Sequence, residues 1–283
     1  MIRRIAQSLA TLSLFLAGAR LAYAAMELNL QPPETIIARD IYELHTVILI
    51  ICVVIFIGVF GAMFYALWKH RKSVGHKAEQ FHENTTVEIV WTVVPFIILI
   101  GMAYPATKTV LAMKDTADSD MTIKATGYQW KWRYDYLTED ISFYSNLSTP
   151  REQIENQAPK GEHYLLEVDN AVVVPVGKRV RMLMTANDVI HSWSVPAFGV
   201  KQDAIPGFVR DAWFKVDNAG TYRGQCSELC GKDHGFMPIV VKAVPKEEFL
   251  KWLDTQEAAL APPPAAAATA SSPSTEPNQA PKG

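Results

Sequence analysis

Two thiols, an imidazole and a thioether crowd into one stretch, Gly224-Gln225-Cys226-Ser227-Glu228-Leu229-Cys230-Gly231-Lys232-Asp233-His234-Gly235-Phe236-Met237-Pro238. Soft sulfur with imidazole selects copper or zinc over hard ions. A further imidazole, His191 in Asn187-Asp188-Val189-Ile190-His191-Ser192-Trp193, lies at the end of a predicted strand, where a sandwich could bring it beside the cysteine loop. The set is then two cysteines, two histidines and a methionine. A structural zinc site would use four of these and leave Met237 idle, whereas copper electron-transfer sites combine His, Cys and a weak axial Met. Copper is the better fit. A Cys-x3-Cys pair in an oxidising compartment is also compatible with a disulfide, and a lone His or Met with plain packing. The third cysteine, Cys52, lies in an apolar run and reads as a small buried hydrophobe.

Such donors need a frame, and the chain from Lys108 onward reads as one. Short strands are predicted at Thr122 to Tyr136, Tyr164 to Asp169, Val172 to Val176, Arg179 to Thr185, Ala212 to Val216, Gly220 to Gln225 and Pro238 to Val244, separated by Gly, Pro, Asn and Asp. Their number implies a β-sandwich or Greek-key barrel. Within the first, period-two alternation puts Tyr128, Trp130, Trp132, Tyr134 and Tyr136 on one face, and Gln129, Lys131, Arg133 and Asp135 on the other. Lys246 to Ala259, opened by Pro245 and carrying Phe249, Leu250, Trp252 and Leu253, reads as an amphipathic helix on the sandwich. The Ala/Pro/Ser/Thr tail at 261–283 has too little apolar surface to order itself.

The N-terminal part is of another kind. Arg3 and Arg4, an apolar run to Leu16 and Ala22-Tyr23-Ala24 describe an export signal over 1–24, cleaved after Ala24 or Ala25. Val47 to Trp68, about 22 uncharged residues, and Ile89 to Thr107, about 19, are each long enough to cross a hydrocarbon core of about 30 Å. Segment 25–108 is thus a two-helix membrane hairpin with spans at about 45–68 and 89–107, followed by an outer domain at 109–260. Lys69, Arg71, Lys72 and Lys77 between the spans place that connection in the cytoplasm, so the β domain faces outward, into the periplasm of a bacterium. With 27 basic and 29 acidic residues among 283 and 49% apolar content, neither a nucleic-acid binder nor an acidic disordered polymer fits.

The sequence resembles the cytochrome c oxidase subunit II family from Ile41 to Leu253, through His191-Ser192-Trp193, Asp203-Ala204-Ile205-Pro206-Gly207, the block Cys226 to Pro238 and Gly127-Tyr128-Gln129-Trp130-Lys131-Trp132. The resemblance implies a transmembrane α-helical hairpin plus an all-β cupredoxin-like Greek-key sandwich in a bacterial inner membrane. It also implies a binuclear copper centre, CuA, with Cys226 and Cys230 bridging, His191 and His234 one on each metal, and Met237 and the Glu228 carbonyl as weak ligands. The Glu228 side chain would help bind magnesium or manganese shared with subunit I, although a loop glutamate is more often simply solvated. Trp130 would receive the electron from cytochrome c, and Asp135, Asp169 and Asp188 would face that lysine-ringed donor. From Lys114 to Glu257 about 21 acidic residues stand against about 17 basic ones, a mild excess of that sign. Glu88, at the cytoplasmic mouth of the second span, would mark a proton-path entrance in the family, where a helix-dipole role is the plain alternative.

The implied activity is that of a proton-translocating oxidoreductase: electrons from cytochrome c pass through this subunit to haem in subunit I, where oxygen is reduced to water. Subunit I, subunit III and membrane lipid are the implied partners, and the haems belong to subunit I alone. No Cys-x-x-Cys-His occurs, so the donor should be a separate cytochrome c. One departure stands out: the family usually has Arg after Pro206-Gly207, and here Phe208 takes that place with Arg210 two residues on. Three rivals are a quinol oxidase subunit II, which lacks the copper ligands, a nitrous oxide reductase, which needs another large domain, and a membrane-tethered copper or thiol-redox module with no oxidase.

Overall fold

Thr35 starts the first helix. Its hydroxyl accepts from Ala38 N (3.0 Å) and donates to the Phe198 carbonyl (2.8 Å), so one buried side chain caps α1 (Ile36–Lys69) and ties it to the β domain. The helix therefore begins well before the uncharged run, because its first turn packs Ile37 and Ala38 against the sandwich rather than against lipid. Gly199 makes this approach possible: at φ +67, a Cβ there would lie 3.0 Å from the Ala38 backbone. The computed structural model describes residues 29–75, 77, 80 and 82–260, so the expected signal peptide and the Ala/Pro-rich tail lie outside the described residues.

Asn84 caps α2 (Thr85–Lys114), accepting from Val87 N at 3.2 Å, and Pro95 and Pro105 are carried inside the helix. At 34 and 30 residues both helices exceed the roughly 20 that a bilayer core requires. Their outer turns stand clear of the core and build the junction with the β domain. There Trp213 Nε1 donates to the Ala112 carbonyl (3.0 Å) and Arg39 pairs with Asp217 (2.7 Å). Along the spans themselves apolar side chains such as Val54, Ile57, Phe96 and Ile97 face outward, as a bilayer or a membrane partner demands.

Ten strands follow: β1 (Met121–Tyr128), β2 (Lys131–Tyr136), β3 (Ile141–Ser145), β4 (Val172–Pro175), β5 (Arg179–Ala186), β6 (His191–Val195), β7 (Val200–Ala204), β8 (Arg210–Lys215), β9 (Gly220–Cys226) and β10 (Pro238–Val244). They form two five-stranded sheets, ordered β3-β2-β1-β5-β8 and β4-β10-β9-β6-β7. The parallel pairs β1/β5 and β4/β10 arise because the chain crosses between sheets, which gives the cupredoxin-like Greek-key sandwich. Between the sheets lie Trp132, Tyr134, Tyr136, Trp193, Phe198 and Phe214. Aromatic side chains bury roughly 150–250 Å² each, worth about 4–6 kcal/mol of transfer free energy before entropy is charged. Their polar atoms are satisfied: Tyr136 Oη donates to the Val173 carbonyl (2.8 Å) and Trp193 Nε1 donates to Tyr134 Oη (3.2 Å). Burial raises both tyrosine hydroxyls above their ordinary range, so they stay neutral.

Three strand expectations change. The run from Thr122 to Tyr136 is a hairpin, turning at Gln129 and Trp130, so only Trp132, Tyr134 and Tyr136 share the buried face while Trp130 stands half-exposed at the tip. Tyr164 to Asp169 forms turns, with Leu165 at φ 60 and a single bridge from Val168 to Leu147. Strands β3, β6 and β7 were not expected: β6 is buried on both faces and β7 is polar in its middle, so neither alternates. The last helix, α3 of this fold beyond the single turn at Arg151–Ile154, spans Lys246–Leu260 and lays Phe249 and Trp252 on the sandwich, with Trp252 5.1 Å from Tyr136 between ring centroids.

Candidate metal centre

Adjacent strands bring the donors together. β6 opens on His191 and β9 closes on Cys226; Trp193 pairs with Cys226 in register, and Ser227 N donates to the Ser192 carbonyl at 3.0 Å. Cys230, His234 and Met237 then follow on the loop that returns into β10. Cys226 Sγ lies 3.9 Å from His191 Nδ1, 3.9 Å from Cys230 Sγ and 3.4 Å from the Glu228 carbonyl oxygen. Cys230 Sγ lies 3.5 Å from His234 Nδ1 and 3.6 Å from Met237 Sδ.

These separations match a shared metal. Bonds of about 2.3 Å to sulfur and about 2.0 Å to nitrogen, splayed near tetrahedral angles, set donors roughly 3.3–3.8 Å apart. A disulfide would need sulfurs about 2.0 Å apart, so at 3.9 Å the cysteines are free thiols. His191, Cys226, Cys230 and Met237 are buried, and water is thereby kept from the cluster. The residues fit a soft first-row metal such as copper.

The thiols are unequal. Burial pushes the Cys226 thiol up, but the bond to His191 and the backbone N–H of Ser192 outweigh it and bring it down to about 7. Burial and then the Cys226 charge push Cys230 up to about 12. One thiolate forms readily, and the second requires a cation beside it, which is what a metal provides.

Asp188, expected on a docking surface, is exposed and also holds the buried His191 imidazole. Its Oδ1 accepts from His191 Nε2 (2.9 Å) and Val189 N (2.7 Å), and its Oδ2 accepts from Gln129 N (2.7 Å). Against burial, which raises it, these bonds hold the Asp188 carboxyl below its ordinary value. They leave His191 Nδ1 as the free donor toward Cys226. Asp135 is likewise engaged, between Lys124 (3.1 Å) and Arg133 (2.9 Å), and Asp169 accepts from the backbone and side-chain amides of Asn146.

Gln129, which carried no chemical signal, donates through Nε2 to the Cys230 carbonyl at 2.8 Å, and Trp130 Nε1 donates to the same oxygen at 3.3 Å. Gly231, at φ +122, allows this: a Cβ there would meet Trp130 Cζ2 at 2.9 Å. The half-buried indole is thus one hydrogen bond from the backbone of Cys230. Trp132 stands edge-on to His191, 5.9 Å between centroids. The Glu228 side chain is exposed, as are Leu229 beside it and Phe208 and Val209 after the Pro206-Gly207 turn. Glu88 is remote from this cluster in sequence and fold; its Oε1 accepts from Asn84 N (3.3 Å), completing the cap of α2.

A relative from Cereibacter sphaeroides, "Cytochrome c oxidase subunit 2", is 39% identical over 237 residues, 79% of this chain and 78% of its own length. The chain belongs to the cytochrome c oxidase subunit II family. The family descriptions "Cytochrome C oxidase subunit II, transmembrane domain" and "Cytochrome C oxidase subunit II, periplasmic domain" match residues 23–109 and 121–244. The subunit 2 of Metridium senile is 40% identical over 80% of this chain and 89% of its own. The crystal structure of the periplasmic domain of subunit II of cytochrome oxidase of Bradyrhizobium japonicum is 45% identical, covering 52% of this chain and 99% of that one, with a TM-score of 0.47. As a cytochrome c oxidase subunit II the chain is part of a haem-copper oxidase and serves its electron transfer, with a copper centre at the His/Cys/Cys cluster.

Proposed function

We propose that this subunit II accepts electrons from cytochrome c at a binuclear copper centre, CuA, and delivers them to haem in subunit I. His191 and His234 would hold one copper each, Cys226 and Cys230 would bridge them, and Met237 Sδ and the Glu228 carbonyl would be the weak ligands. The observation that carries this reading is that all six donors converge on the two sulfurs, each within 3.9 Å of one of them. The copper pair supplies a one-electron acceptor and donor whose charge change is spread over two metals.

The chain's own residues do the rest. Two paired strands and a short loop fix the donors, so little moves when the charge changes. Asp188 orients His191, and the core rings around Trp132 and Trp193 exclude water. Trp130 offers an outward indole whose N–H bonds the Cys230 carbonyl, and we assign it electron intake from cytochrome c. The exposed Glu228 carboxylate supplies a hard oxygen for magnesium or manganese at the boundary with subunit I. Exposed Ile190, Phe208, Val209 and Leu229, in the segments that carry the site, support a partner on this side. Glu88 at the start of α2 is assigned to the proton-path entrance in addition to its cap. We assign the sandwich to the periplasm of a bacterial inner membrane, alongside subunits I and III, a reading supported by the basic Lys69, Arg71, Lys72 and Lys77 in the helix connection, which favour the cytoplasmic side.

Copper analysis with electron paramagnetic resonance on the purified oxidase tests the reading. Two coppers in this chain sharing one unpaired electron, lost in Cys226→Ser, are expected. A mononuclear spectrum or zinc in their place would refute it.

A further inference from the structure

Where α3 rests on β4, a groove of about 280 Å³ runs beside the helix. Its walls are Phe143 from β3, Val173 from β4, Val244 from the end of β10 and Trp252 from α3. Phe143 and Trp252 meet edge to face, 6.3 Å between ring centroids at 80°, so the two rings form an angled aromatic wall. Glu248, Trp252 and Gln256 line the groove at four-residue intervals, which places them on one stripe of α3 about 12 Å long. Among the described residues, neither the Trp252 indole N–H nor the half-buried Gln256 amide has a hydrogen-bond partner. The groove thus offers aromatic faces and free N–H donors together.

That combination selects its ligand. A polyproline II segment has exposed carbonyls, compact rings and few N–H groups of its own, and it docks on aromatic-lined grooves at a small entropic cost because its shape is preformed. The described residues end at Leu260, and the chain goes on as Ala261-Pro262-Pro263-Pro264-Ala265. Leu260 is four residues past Gln256, about 6 Å along the helix axis. Proline at 262 disfavours the helical conformation at the residue before it, so α3 has its stop signal beside the groove. Four residues in polyproline II, at about 3.1 Å each, match the length of the stripe.

We propose that this groove seats the chain's own segment Pro262-Pro263-Pro264, which folds back along α3 as a strap. The proline rings pack on Trp252 and Phe143, and Trp252 Nε1 and the Gln256 amide donate to carbonyls of the segment. Residues 261–283 have too little apolar surface to order themselves, and the groove supplies the surface they lack. The strap fastens α3 to β4 and β10, the strand that begins one residue after Met237. A tether this short presents the prolines at roughly millimolar effective concentration, so a contact of about 0.1 mM affinity shifts the closed-to-open ratio of α3 about tenfold.

The test is hydrogen exchange, followed by mass spectrometry, on the purified oxidase and two variants of this chain. One variant ends at Ala261. The other, Pro262→Gly with Pro263→Gly and Pro264→Gly, keeps the length and removes the preformed shape. In both, peptides covering Phe249 to Gln256 are expected to exchange about tenfold faster than in the parent, with the copper spectrum unaltered. Exchange within about twofold of the parent in both variants would overturn the inference. Faster exchange in the shortened chain alone would overturn the assignment to the three prolines. A photo-crosslinking benzoylphenylalanine in place of Glu248 identifies the occupant: capture of a peptide from 261–283 of the same chain is expected, and capture of a second copy or of another subunit would overturn the strap.

Discussion

Asp188→Ala separates two roles for one carboxylate. In the fold Asp188 accepts three hydrogen bonds, from His191 Nε2 at 2.9 Å and from the backbone of Gln129 and Val189 at 2.7 Å each. The backbone donors lie at exposed positions and can turn to water on truncation, so their loss costs little. His191 is fully buried, and among the described residues Asp188 is the acceptor bonded to its Nε2. Hydrogen bonds to charged groups contribute about 1.5–3 kcal/mol, and each 1.4 kcal/mol is a factor of ten. Copper affinity should therefore fall roughly 10–100-fold, the usual penalty for removing the group that orients a ligating histidine. Asp188→Asn should fall between: one oxygen still serves His191, but its amide meets the Gln129 N–H donor to donor. The assay is competition for copper against a chelating dye on the purified protein, alongside the midpoint potential and KM for cytochrome c. Copper affinity and potential unchanged within about twofold, with only KM raised and only at low salt, would refute the positioning role and return Asp188 to the docking surface.

Three further outcomes are expected. Gly127→Ala puts a Cβ 2.7 Å from His191 Cδ2, and such overpacking typically costs about 1–3 kcal/mol; thermal melts with copper analysis should show metal loss ahead of unfolding. Thr35→Val removes both the cap of α1 and its bond to Phe198, lowering stability by about 1–2 kcal/mol and loosening the junction, which hydrogen exchange at Ala38 and Gly199 would report. Asp211 accepts from Thr116 and Arg181, which hold its carboxyl below 3.8 in the folded protein despite burial, so its stabilising effect is complete above that value and is lost as pH falls beneath it. Asp211→Asn should flatten the acid limb of the melting temperature against pH, and an acid limb of unchanged steepness would count against the assignment.

The strands most legible in the sequence were those with one wet face. β2 and β5 alternate residue by residue, whereas β10, buried on both faces, was marked instead by its apolar run between Pro238 and Val244. β6 and the turn at Gln129 and Trp130 were not legible. In β6, burial on both faces erases the period, and at the hairpin the aromatic alternation of β2 runs back through Trp130 and Tyr128, which hides the change of buried face from odd positions in β1 to even ones in β2. The outer ends of both helices extended beyond the uncharged runs for a related reason: hydropathy reports contact with lipid, whereas the first turn of α1 buries Ile37 and Ala38 on the sandwich and the last turn of α2 rests the half-buried Ala112 and Met113 near it.

At the candidate metal centre, the sequence by itself determined the donor types and most of the cluster, because Cys226, Cys230, His234 and Met237 lie on one loop and their spacing is a local property. It likewise determined the two apolar spans, since length and hydropathy need no tertiary partner. Only the tertiary structure decided what crosses between distant segments. The pairing of β6 with β9 brings His191 to Cys226, and the hairpin tip brings Gln129 and Trp130 to the Cys230 carbonyl across about a hundred residues of chain. The loop before β6 brings the Asp188 carboxylate against His191 at a residue that stays exposed. A carboxylate three residues before a histidine can point either way, and that choice is made by the Gln129 N–H and the buried ring that fold up against it.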